Sequence, residues 1–464
     1  MVSNNERFQN IYNNVVKGGY DFGTGSWAVV NDNVKMKLDD IGEFHPYISS
    51  GIQVSDNDLK KFKESCLSTS SKNEDDVSRE LYSKVPGINY DKRLGFYSGL
   101  YIGHVVEKDF RKNGSSGGFG TWILEELMNT GLIDYVINVV PTGNNDKLFE
   151  YRISNNIESL EKGAKTKYYP VEFSEVINTL KKIPGKYAIV GLPSFIMELR
   201  LLSDLDPVIK DRVKFTIGLV CGHQKSTKFS EFLAWQCGIE PGNLTSINFR
   251  KKLIDSLASQ YAIEVKGEVN GKTKTITRRM SELVGSDWGE ALFKVRASDF
   301  TDDVMNETAD ITLGDAWLPE YTKDSKGNNI IIVRNHDIQS LIDNAIKDGR
   351  VKLDKTDVET IFSSQAAHYR HTRIELRYRL YKKDKEKKWY PNKRESPSPK
   401  LPWIRKRIQD EREKICLTVP SMYLEATKKN DLGYFLKKIS RLRNSYKNTY
   451  KLKRVLSKIK RVFK

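Results

Sequence analysis

Cysteine is scarce in this chain. Four occur among 464 residues, Cys66, Cys221, Cys237 and Cys416, with no C-x-x-C pair. That spacing excludes a disulfide framework and fits a reducing compartment. It also leaves too few thiolates near one another in sequence for a thiolate metal site. Long apolar runs are missing too: none approaches the ~20 residues that spanning a bilayer requires. The start, "MVSNNERFQN", has no hydrophobic signal core, so the expected location is the cytoplasm. Neither G-x-G-x-x-G nor G-K-[ST] occurs at a strand-to-helix junction, which removes the Rossmann fingerprint and the P-loop. No internal repeat is present.

Acidic residues are absent from the last 33 positions, 432–464, which hold twelve lysines and arginines. These account for twelve of the net +17, so the first 431 residues carry only +5. Leu432, Phe435, Leu436, Ile439, Leu442, Tyr446, Leu452, Val455, Leu456, Ile459 and Val462 recur in this tail at three- and four-residue steps. The pattern predicts a basic amphipathic helix or helix pair. An anionic membrane surface suits it best. Nucleic acid is the weaker reading, because the body has no nucleic-acid motif, and a partner protein is a third.

What the chain does contain, from about residue 97, is alternation. "GLYIGHVVE" (99–107), "YVINVVP" (135–141), "YAIVGLP" (187–193), "VKFTIGLVC" (213–221), "ADITLGDAW" (309–317) and "IIIVRN" (330–335) read as strands. "GGFGTWILEELMNTG" (117–131) and "SFIMELRLLSDL" (194–205) read as helices, with Gly131 placed to stop the first. The predicted class is α/β, with a mixed or parallel sheet and flanking helices. The expected organisation is a small unit over 1–60, an α/β core over 61–345, a charged helical extension over 346–394, and a Pro/Ser linker with the basic tail over 395–464.

"NGSSGGFGTW" (113–122) joins a strand to a helix. Glycines there let backbone approach a ligand, and a helix start offers free N–H groups. A plain tight turn is the competing reading. Four blocks in order also resemble the deazaflavin (F-420) hydrogenase/dehydrogenase beta-subunit family: "SSGGFGTWILEELMNTGLIDYVINV", "AIVGLPSFIMELRLL", "IGLVCGHQKSTKFSEFLAWQ" and "SDFTDDVMNETADITLGDAW". The resemblance spans roughly residues 10–335. It implies an α/β core that binds FAD, usually beside iron–sulfur clusters.

In the family pattern, cluster cysteines fall on Asp21, Thr24, Trp27 and Asn31, on Ser194, and on Ser298 and Thr301. None is cysteine here, and these side chains do not supply the thiolates that [4Fe–4S] iron prefers. The expectation is a ferredoxin-like remnant without a cluster over 1–60, no metal, and FAD alone. A flavin still moves hydride as an electron pair. The implied function is a flavin-dependent oxidoreductase, fed by a nicotinamide or a deazaflavin. It would act on a small-molecule or lipid-linked sugar intermediate of cell-surface polysaccharide synthesis, at the inner face of the membrane. A non-redox partner-binding relic, or a transferase reusing the pocket, are the alternatives.

Under that resemblance, Ser116, Gly117, Gly118 and Thr121 are the expected FAD-contacting turn. Lys225 and Lys228 could neutralise phosphate or the reduced ring, against a reading as solvated helix charge. His223, at a strand end where ligands collect, could donate a proton or sit idle on the surface. Lys167 and Tyr168, in "KY-x-P", are expected to line the pocket. Asp299, Asp302 and Asp303 could bond sugar hydroxyls or be a solvated loop. Asp315, after Gly314 at a strand end, is a catalytic candidate alongside His223 and Lys225. Trp317 could stack on a ring or pack in the core. Cys221 reads best as a small buried residue.

Overall fold

The computed structural model describes residues 3–49 and 52–462. Its centre is an eight-stranded mixed sheet. The strands and their principal helices, in chain order, are β1 (Gly99–Val105), α1 (Phe119–Asn129), β2 (Tyr135–Pro141), β3 (Phe149–Ser154), β4 (Tyr187–Gly191), α2 (Pro193–Leu205), β5 (Val213–Leu219) and α3 (Thr227–Gln236). A separate three-stranded meander follows, β6 (Leu244–Lys251), β7 (Ala262–Val269) and β8 (Lys272–Arg279). The chain then returns to the main sheet with β9 (Ile311–Asp315), β10 (Asn329–Val333) and β11 (Val351–Lys355). The order across the main sheet is β11-β1-β10-β9-β5-β4-β2-β3.

β9, β5, β4 and β2 run parallel, and antiparallel strands close both edges. The parallel strands are buried over most of their length, as expected where helices cover both faces. β10, "NIIIV", is buried at every position. Gly131, at φ +70°, stops α1 as expected. Pro193 opens α2, where its fixed φ suits a first helical turn and its missing N–H costs nothing.

The edge strands β3 and β11 and the whole β6–β8 meander were not foreseen from sequence. β11 lies inside a stretch, 336–393, that reads as helical and charged. It is five residues long with three exposed, so it shows little apolar alternation.

After β11 the chain is helical: α4 (Val358–Tyr369), one wide π turn over Arg370–Ile374, α5 (Glu375–Lys385), α6 (Trp403–Lys429) and α7 (Leu432–Val462). α6 and α7 form a hairpin at Asn430, which takes the left-handed conformation at φ +46°.

The hairpin is part of the molecule's core. Phe435 and Ile439 of α7 are fully buried, with Tyr446 nearly so, in one cluster with Phe229, Phe232, Phe293 and Tyr423. The tail's apolar stripe is therefore used internally as far as Tyr446. What it leaves exposed is Leu452, Val455 and Ile459. Lys464 and the side chains of Lys460, Arg461 and Val462 lie outside the described residues.

The N-terminal unit has its own small core of Phe8, Val15, Trp27, Val34, Val54, Leu59 and Phe62. The hairpin expected in "VKMKLDDIGEFHPYI" forms between Val34–Leu38 and Phe44–Ile48.

Candidate functional site

The glycine turn is closed. Gly117 carbonyl accepts the Val105 N–H at 2.9 Å, tying the turn to the end of β1. A Cβ on Gly117 would sit 2.6 Å from the Gly103 carbonyl oxygen, and one on Gly118 2.6 Å from the Arg111 nitrogen. Both glycines are therefore required by close backbone packing rather than by an open ligand cradle. Ser116 Oγ donates to the Asn328 carbonyl at 2.8 Å, and the first amide of α1, Phe119 N–H, is taken by Asn329 Oδ1 at 3.3 Å.

Lys252 Nζ donates to the Ser116 carbonyl at 2.8 Å and to that of Arg111. The turn thus points acceptors at a lysine, the reverse of what a phosphate needs. Thr121 sits half-buried in the first turn of α1. Residues 113–121 do not fit the flavin that the resemblance implies for them.

Most other sequence candidates have internal partners. Lys167 Nζ donates to the carbonyls of Ala164, at 2.8 Å, and Gly163. Lys225 is buried, donates to the Leu292 carbonyl at 2.6 Å, and lies 4.7 Å from the ring centres of both Phe229 and Trp288. Burial, with Lys294 nearby, brings its ammonium down to about 7. Lys228 pairs with Glu231 at 2.9 Å. Asp315 pairs with the buried Arg250 at 2.6 Å, and that guanidinium lies 5.2 Å from the Trp317 ring centre.

The acidic group is not a solvated loop. Asp299 pairs with Lys294 and accepts Arg379 Nε on its carbonyl at 2.7 Å. Asp302 accepts the Arg394 N–H at 2.9 Å, and Asp303 the Glu307 N–H at 2.8 Å. All three are buried. Cys221 Sγ faces the His223 carbonyl, and burial pushes its thiol up to about 11, which makes it a poor nucleophile.

At the family's cluster positions, Trp27 Nε1 donates to the Phe62 carbonyl at 2.9 Å within the small core, Thr24 bonds Glu198, and Asp21 meets His45 at 3.0 Å. Among the described residues, no three His, Cys, Asp or Glu side chains converge as a metal site.

A cleft opens at the carboxyl end of β5. It has a volume of about 390 Å³ and runs from Gly222 and His223, past Asp287, Trp288 and Gly289, to the helices after β11. Its volume is in the range of a small-molecule site, and its position is where open α/β sheets bind ligands. His223 is the sequence candidate placed there.

The His223 ring centre is 5.1 Å from that of Trp288, and its Nε2 is buried without a hydrogen-bond partner among the described residues. Burial, then Lys225 and Lys294, holds His223 well below its usual value, so the imidazole is neutral. Tyr168 also packs on Trp288, with ring centres 4.5 Å apart. His371, from the π turn, accepts Arg379 Nη1 on Nδ1 at 3.2 Å, which leaves its other nitrogen to carry the proton. An indole and an unpartnered, neutral imidazole side by side at the cleft fit the ring end of a flavin in chemistry. No sequence signal pointed to Trp288, and the helical wall falls in stretches that read as charged helix, Pro/Ser linker and basic amphipathic tail, none of them tied to the pocket.

No curated protein matches the chain. Among solved structures it is similar to a chain from the structure titled "Xenon derivatization of the F420-reducing [NiFe] hydrogenase complex from Methanosarcina barkeri". The identity is 15% and the TM-score 0.48, covering 63% of this chain and 96% of that one. Two family models describe the N-terminal and C-terminal parts of the coenzyme F420 hydrogenase/dehydrogenase beta subunit. Residues 100–178 match the first and residues 185–359 the second. Those two stretches carry the eight-stranded sheet and the His223–Trp288 side of the cleft, and they exceed half of the sequence; the chain belongs to the coenzyme F420 hydrogenase/dehydrogenase beta-subunit family.

Proposed function

We propose that the chain is an oxidoreductase that works in the cleft at the carboxyl end of β5, with FAD as its cofactor and a sugar-type intermediate of cell-surface polysaccharide synthesis as its substrate. The observation that carries this reading is the pairing of Trp288 with the unpartnered His223 Nε2 inside the family-matched part of the cleft. FAD, when bound, supplies a two-electron hydride carrier. Trp288 brings an aromatic ring to the cleft edge beside the His223 ring. Neutral His223 offers one nitrogen to hold or pass a proton. Tyr168 and Lys225 pack against the Trp288 indole and hold it in place.

The purified full chain should be yellow, release flavin on denaturation, and lose flavin in Trp288→Ala while remaining folded. Colourless protein that takes up no added FAD sinks the proposal. A second reading, a transferase that uses the cleft for an activated sugar donor, draws support from the closed glycine turn. Transfer activity from a colourless protein would favour it.

A further inference from the structure

The cleft has a second wall, built after the family-matched residues end at 359. It is strongly cationic: Arg370, Arg405, Arg412, Lys447, Lys451 and Arg454 line it, against Glu375 and Asp287. Three of these cations have carboxylate partners. Arg370 meets Glu375 at 3.5 Å, Arg405 pairs with the same carboxylate, and Lys447 lies 3.4 Å from Glu290. Arg412, Lys451 and Arg454 have no carboxylate within 4.0 Å among the described residues.

Deeper in, Arg412 Nε and Arg405 Nε and Nη1 are buried donors that bond to nothing among the described residues. Folded proteins leave few such donors, and each needs an explanation. Several behind one concavity leave its guanidinium charge without internal compensation, which an anionic ligand in the cleft offsets. Arg370 and His371 enter the cleft from the π turn, a feature that recurs at functional sites.

The ligand group must be rich in oxygen and more than singly charged, because three cations are left uncompensated. Guanidinium forks match phosphate oxygens. We infer that this wall holds the diphosphate group of the substrate, a nucleotide-linked or prenyl-linked diphosphate. The inference rests on the cleft being the reaction site. It assigns the diphosphate to substrate rather than cofactor because the cationic side chains come from 370–454, an addition to the part that the family shares.

The test is calorimetric titration of the full chain with inorganic pyrophosphate, ADP and farnesyl diphosphate, with flavin content measured separately by absorbance. Pyrophosphate should bind, more weakly as salt rises. Its affinity should fall about tenfold or more in Arg412→Gln and in the double variant Lys451→Gln/Arg454→Gln. The double variant sits on the exposed side of α7, so it stays informative if Arg412→Gln fails to fold.

Tighter binding of ADP than of farnesyl diphosphate supports a nucleotide-linked substrate, and the reverse order a lipid-linked one. No binding of pyrophosphate to the unaltered protein, undiminished binding in the double variant, or displacement of bound flavin by pyrophosphate overturns the inference. A colourless protein that binds pyrophosphate sinks the flavin reading and leaves the diphosphate site standing.

Discussion

The Gln224 backbone N–H donates to Ser298 Oγ at 3.0 Å, and the same residue's Nε2 stands 3.5 Å from Ser194 Oγ. Two positions that carry cysteine in the family pattern, 104 residues apart in sequence, thus converge on one glutamine next to the cleft. Ser298→Ala removes the acceptor of a half-buried amide and should cost about 1–3 kcal/mol. Urea denaturation measures this. Unchanged stability would mean that the hydrogen bond is not holding the segment.

Asp315 stands at the carboxyl end of β9, where a catalytic carboxylate would be expected, yet it partners Arg250 at 2.6 Å. Asp315→Ala leaves Arg250 buried and uncompensated, so stability should drop by roughly 3–5 kcal/mol. Full stability combined with lost activity would return Asp315 to a chemical role.

Truncation separates the two halves of α7. Removing 432–464 strips Phe435, Ile439 and Tyr446 from the core, and each fully buried side chain is worth roughly 1.5–3 kcal/mol. The shortened protein should be insoluble or lose its cooperative thermal transition. Removing only 455–464 should leave the melting temperature within a few degrees. If anionic vesicles bind the full chain, that shorter deletion should weaken the binding, because Val455 and Ile459 are exposed. Vesicle binding that survives it would place any lipid contact elsewhere.

Glu198 is buried beside Thr24 and accepts the Leu67 N–H at 3.1 Å. Burial pushes its carboxyl up from 4.5 to about 7. The folded chain therefore binds this proton more tightly than the unfolded chain does. Its contribution is fully present below about pH 4.5 and is lost as pH rises through about 7, a change of about 3 kcal/mol. Glu198→Gln should flatten the stability–pH profile over that window. A variant with the same slope as the parent would rule Glu198 out as its source.

Much of the sheet was legible because its strands are long β-branched runs set off by helices of 3.6-residue period. Tyr135–Pro141 has the expected bounds, and Gly131 stops α1 as its position suggests. The β6–β8 meander was missed although it carries a local signal. Asn270 and Gly271 both have positive φ between β7 and β8, the conformation that Asn-Gly pairs favour in two-residue hairpins. The glycine turn was legible as a turn but not in its purpose. A glycine admitting a ligand and a glycine admitting neighbouring backbone look the same in sequence, and Gly117 is of the second kind.

The amino-acid sequence alone determined the α/β class, the family, the absence of a bilayer-length apolar run and the helical amphipathic tail. Each of these is written in local period or in ordered motifs. Tertiary structure decided where the tail's apolar face goes, which lysines and aspartates are consumed by internal partners, and where the open space lies. Those outcomes depend on how segments hundreds of residues apart come together, such as His223 and Arg454, which line the same cleft. Periodicity carries no record of which distant segment will arrive to neutralise a charge or cover an apolar stripe.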